Sequence, residues 1–225
     1  MTTARRDPVR LTRLLVAGAL ISLLAATSLS GQERSAAEVV EATDRLAAAL
    51  HDSQRSHLWR VLWWGGANLA LGVGISAMGR ENHPTRFGFG VQTAAWGAIN
   101  VGIATWGLLA GPELAVGPRA TLAAEDAWSH ILLVNLGLNV GYVAVGAALH
   151  IASSRGLRQG DAVRGHARAV MVQGVGLLVL DGIAWAASRV RLEELRGLAF
   201  SDVVVSTSAW DAGAIEVGLR IPFGG

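Results

Sequence analysis

Four long apolar stretches separated by polar segments dominate the pattern along the chain: Val61 to Gly79, Phe87 to Ala110, Ile131 to Ala152 and Ala169 to Ala187. Each reaches the roughly 20 residues a helix needs to cross a bilayer. They are hydrophobic on all sides, unlike the one-sided helices of a soluble core. In lipid a spanning backbone must satisfy its own hydrogen bonds, so the pattern predicts four helices.

The pattern changes before and after these stretches. Residues 1–31 read as a secretory signal: a basic start (Arg5, Arg6, Arg10, Arg13), an apolar run from Leu14 to Ala26, then the small residues Thr27, Ser28, Ser30 and Gly31. Cleavage is expected near Ser30 or Gly31, with an uncleaved anchor as the alternative. "RRDPV" lacks the hydrophobic residues that follow a twin arginine, which favours the general export route. Residues 32–57 read as a periplasmic amphipathic helix. Ser35 and Glu38 have capping-box spacing. Val39, Leu46 and Leu50 lie on one side, and Glu41, Asp44, Arg45 and Asp52 spread over the other. The expectation is a solvated helix leading into the membrane, the alternative a surface-lying or partner-binding one. Residues 189–225 read as a periplasmic tail. There Ile215, Val217, Leu219 and Ile221 alternate with Glu216, Gly218 and Arg220, and Val203 to Trp210 can pair with them as a small β-hairpin. One such strand cannot make a barrel.

The connections set an orientation. Segments 80–86 and 153–168 are the loops richer in arginine and belong in the cytoplasm by the positive-inside rule, whereas 111–129 is mildly acidic. Arg55, Arg60, Arg189, Arg191 and Arg196 oppose that arrangement, and the export signal decides it. Both mature termini are expected in the periplasm of a bacterium, with the bundle in the inner membrane.

Composition agrees and narrows the function. Of 225 residues, 52% are hydrophobic and only 16% charged, against about 25% charged in soluble domains. All basic residues but the histidines are Arg, the net charge is only +2 and no basic patch forms, so nucleic-acid binding is a poor reading. The lack of Cys excludes disulfides, thiolate metal sites and a cysteine nucleophile. No phosphate loop, nucleophile elbow, paired-His metal motif or carboxylate pair is present. The histidines fall at span ends or in loops, and haem ligation by His57 or His150 has no supporting spacing. No cofactor is expected, and the reading leans against an enzyme.

What remains is polar residues inside the spans. "WGGAN" (64–68) recurs as "WGAIN" (96–100), and Asn68, Asn100, Asn139 and Asp181 lie one per stretch, near the middle. This spacing predicts one polar layer across a four-helix bundle. Gln92, Trp96 and Asn100 share a helix face, as do Asn135, Asn139 and Tyr142, and Gln173 lies on the helix of Asp181. The structural reading is interhelical hydrogen bonding, helped by close approach at Gly137–Gly141 and Gly107–Gly111. The functional reading is a ligand site, or a path for a proton or small solute through Asp181, because an intramembrane acid is functional by default. No basic residue is expected beside it.

"LLVNLGLNVGY" (132–142) and "RGHARAVMVQGVGLLVLDG" (164–182), with "WGAIN", resemble an uncharacterised family of four-span bacterial membrane proteins, a domain of unknown function. The likeness covers about residues 60 to 188. It implies four spans and a polar core and supplies no activity; where the family commonly has Asp, this chain has Asn139. The expectation is thus an all-α membrane protein: a four-transmembrane-helix bundle with an N-terminal amphipathic helix and a C-terminal hairpin. Its partners would be the bilayer and either a second copy or a membrane protein. It would act as a binding or interaction module, with a small carrier or channel as the alternative.

Overall fold

A computed structural model describes residues 36–79, 82–157, 159–201, 204–209 and 215–220. The signal expected over 1–31 and the capping residue Ser35 lie outside the described residues. The fold is all-helical: α1 (Ala36–Gly79), α2 (Pro84–Ala110), α3 (Pro118–Ser153) and α4 (Gly160–Ser201). All four are long and apolar enough to cross a membrane. Large apolar side chains such as Trp63, Trp106, Leu109 and Val116 point outward, as a multi-pass membrane protein allows. Two short strands, β1 (Val204–Ala209) and β2 (Ile215–Arg220), are aligned antiparallel after α4, but the fold rests on the helices and this alignment does not establish the expected hairpin.

Local sequence explains the helix limits. Pro84 and Pro118 open α2 and α3, where a missing N–H leaves no bond unmade. Gly111, at φ 70°, closes α2 with its N–H on the Gly107 carbonyl. By contrast, no Gly or Pro interrupts residues 36–64, so the expected amphipathic helix and the first span form one continuous helix. Likewise "TLAAEDAWSH" and "RLEELRGLAF" are helical extensions of α3 and α4, where a loop and a tail were expected. Strong helix formers at those positions override the drop in hydropathy.

Those extensions pack together. Leu46, Leu195 and Leu198 form a buried cluster with Ala42 and Leu122 against it, so this face of α1 meets α3 and α4 rather than solvent. Arg45 with Glu194 and Arg196 with Asp126 bridge the rim. At the other end α2 takes part in the bundle, and glycines set how closely. Gly65 faces Gly97 and Val101, Gly72 faces Gly90 and Ala94, and Gly79 faces Phe87, so α1 and α2 touch at backbone level. A Cβ at these positions would collide with the opposite main chain, which is why seven-residue glycine spacing appears on both helices. Gly137, Gly141 and Gly111, expected to serve this way, face open space, and Gly107 faces only the Leu58 side chain.

Candidate functional site

The polar residues of the bundle gather on one face of α4, at His166, Gln173, Asp181 and Ser188. Intervals of seven or eight residues separate the resulting tiers by about 10–12 Å of helical rise. Glycine contacts fix their levels against α2. Leu58 lies at Gly107, so neighbouring His57 is near the end of α2; Gly65 is level with its middle; Gly88 meets His166 near its start. The expected single layer is therefore spread over several depths. The reason is geometric: α1 and α4 are antiparallel, and their polar residues match by register rather than by distance from each stretch's centre.

The tier around Asp181 is closed. Asn139 Nδ2 donates to Asp181 Oδ2 at 2.7 Å, and His57 Nε2 lies 3.1 Å from Asp181 Oδ1. All three residues are buried. A basic partner beside Asp181, which sequence spacing did not reveal, is thus supplied by α1. By sequence His57 reads as peripheral, because it precedes the apolar stretch; helical continuity from 36 to 79 is the signal that places it beside Asp181. Trp128 of α3 packs edge-on to its ring at 5.6 Å, and both His57 Nδ1 and Trp128 Nε1 are buried without a partner among the described residues.

One turn pair further along, Glu125 is wholly buried and fully bonded. Ser188 Oγ donates to its Oε1 at 2.5 Å, and Arg191 reaches it through Nε at 2.7 Å and Nη2 at 3.1 Å. Its side chain is 0% exposed and that of Arg191 12%. Sequence does not single out this node, because Glu125 falls in the polar segment 111–129, which reads as a loop and is helical from Pro118.

Toward the middle of α2, Trp64 Nε1 donates to Gln173 Oε1 at 3.0 Å, and Gln173 Nε2 donates to Asn68 Oδ1 at 2.5 Å. Asn68 Nδ2 returns to the Trp64 carbonyl at 2.7 Å. Gly176 leaves room for the Trp64 ring, which a Cβ there would strike. Gln92 Oε1 and His166 Nδ1 meet at 3.1 Å near the start of α2. Trp96 and Tyr142 rings lie 4.9 Å apart. Asn100 is buried with its Nδ2 unpartnered among the described residues, as are Thr93 Oγ1 and Trp96 Nε1. Asn135 is half-buried. The nine residues singled out from sequence thus separate into an Asp181–Asn139 pair, an Asn68–Gln173 pair, a Gln92 contact, a Trp96–Tyr142 contact, Asn100 beside Gly65, and Asn135 apart. Among the described residues no group of three or more His, Asp or Glu is arranged to hold a metal ion.

Fold and site together define a class: an all-helical bundle of four membrane-length helices with a hydrogen-bonded polar interior. The chain belongs to a family of unknown function (DUF6992), whose model matches residues 60–182. The match takes in the polar positions from Trp64 to Asp181 and stops short of His57, Ser188 and Arg191. No match was found among curated proteins or among solved structures.

Proposed function

We propose that the protein is an integral inner-membrane binding or interaction module, without enzymatic activity, exported by residues 1–31 and carrying a small C-terminal hairpin. In this reading both mature termini are periplasmic. The packed extensions of α1, α3 and α4 then stand out of the membrane, where a second copy or a membrane partner can reach them. One observation carries the reading: both oxygens of Asp181 are engaged by His57 and Asn139. A carboxylate closed in this way holds helices together, and the polar interior around it offers donors to a ligand without needing to move. Native mass spectrometry of the mildly solubilised protein beside Asp181→Asn tests this. A bound molecule or partner on intact wild-type protein supports it; bare protein with proton flux in vesicles that Asp181→Asn abolishes overturns it.

A second reading, a small proton or solute carrier, draws on a different feature. His57 is charged only when protonated, so Asp181 has no permanent countercharge. A pair of that kind can gain or lose a proton without leaving the bundle.

A further inference from the structure

Three of the buried groups without a partner among the described residues lie together on one helix. Thr93, Trp96 and Asn100 are spaced three and four residues apart on α2, so they share a face. Thr93 and Asn100 are each 4% exposed. Gly97 between them packs against the α1 backbone at Gly65 and Leu69, which places this face toward the bundle interior. Thr93 Oγ1, Trp96 Nε1 and Asn100 Nδ2 are all buried without a partner among the described residues. Three orphaned donors within two turns are unusual, since buried polar groups are nearly always bonded.

Neighbouring acceptors are already taken. Gln173 Oε1 accepts from Trp64, Asn68 Oδ1 accepts from Gln173, and the Trp64 carbonyl accepts from Asn68. Among the described residues, the interior at this depth thus leaves three donors unpaired while these acceptors are each already engaged. It also lacks charge: residues 61–79 and 87–110 contain no Asp, Glu, Lys or Arg. A cation would face donors, and an anion would find no counterion to offset its desolvation. The occupant that suits is neutral and presents acceptor oxygens.

We infer that Thr93, Trp96 and Asn100 form a binding site for a neutral, lipid-soluble carbonyl compound that enters from the bilayer. This rests on the reading of the protein as a binding module and names the site and ligand class. The carbonyl oxygens accept from Asn100 Nδ2 and Thr93 Oγ1, and the apolar remainder lies beside the Trp96–Tyr142 ring pair, 4.9 Å between centroids. Trp96 Nε1 gives a further donor and an optical reporter.

Tryptophan-fluorescence quenching of the solubilised full chain by decylubiquinone, a neutral dicarbonyl, tests the inference. Decylbenzene serves as the carbonyl-free comparator. The expected result is saturable quenching in the wild type that excess decylbenzene does not reverse, and binding about tenfold weaker in Asn100→Leu, the effect of losing one buried hydrogen bond. Thr93→Val, nearly the same shape, should weaken binding several-fold while the melting temperature holds, and Trp96→Phe should remove most of the quenching. Equal binding in wild type and both Asn100→Leu and Thr93→Val overturns the inference, as does a wild type that shows no saturable quenching. A small molecule found by native mass spectrometry and retained by Asn100→Leu overturns this site yet leaves the module reading standing. Protein bare of any ligand or partner, with Asp181-dependent proton flux, overturns both.

Discussion

Two buried carboxylates face each other's neighbourhoods along α3 and α4, and they are neutralised in different ways. Glu125 is held by Arg191, a cation at every accessible pH, and by the Ser188 hydroxyl. Asp181 is held by Asn139, which is neutral, and by His57, which is charged only when protonated. The first arrangement is a permanent lock between α3 and α4 in the packed extensions. The second joins α1, α3 and α4 near the level of the C-terminal end of α2, and its charge is conditional. Burial alone therefore does not say whether an acid has a permanent countercharge; the chemistry of the partner does.

Removing the guanidinium should show the largest effect. Arg191→Met leaves Glu125 buried with an uncompensated charge, which costs about 3–5 kcal/mol. Thermal unfolding in detergent would measure the loss, and pairing the change with Glu125→Met should recover most of it. Asp181→Leu comes next. It strips His57 and Asn139 of their acceptor, at about 1–3 kcal/mol for each group left unsatisfied. Asp181→Asn should by contrast cost less than about 1 kcal/mol, because His57 can change tautomer and accept from the introduced amide through Nε2. Nδ1, which then carries the proton, has no partner among the described residues to lose.

A smaller effect separates the glycines. Gly72→Ala drives a methyl into the α2 backbone at Ala94, so a loss of about 1–3 kcal/mol is expected from overpacking. Gly137→Ala, facing open space, should change stability by no more than about 0.5 kcal/mol. Equal losses at the two positions would show that helix approach is set elsewhere. Ser188→Ala, removing one hydroxyl from Glu125 while Arg191 stays, should cost about 1 kcal/mol in the same unfolding assay.

Hydropathy made the four helices legible, because an all-round apolar stretch has few other solutions. Their true lengths were not. The segments 118–130 and 188–201 are polar enough to read as loop and tail, and 36–57 reads as a separate solvated helix; their mutual burial around Leu46, Leu195 and Leu198 reveals all three as packed extensions of the spans. The same blindness hid His57 and Glu125, which lie outside the apolar stretches. The mid-span positions of Asn139 and Asp181 put them at a common depth, and the structure shows a hydrogen bond between them. The spacing puts Asn68 in one layer with Asp181 and Gln173 eight residues before it, whereas Asn68 meets Gln173, about 12 Å from Asp181 along α4 by helical rise. Glycine roles were misassigned at Gly137 and Gly141 because a four-residue spacing says nothing about which face it occupies, whereas the seven-residue series through Gly65 and Gly72 does face a neighbour.

The central claim is that Glu125 is locked by a permanent cation and Asp181 is not. Neutralising each carboxylate by its amide, Glu125→Gln and Asp181→Asn, and comparing unfolding free energies in one detergent, tests it most directly. The account predicts a loss of about 3 kcal/mol for Glu125→Gln, which leaves the Arg191 charge unpaired, and less than about 1 kcal/mol for Asp181→Asn. Equal losses, or a larger loss at Asp181, would contradict it.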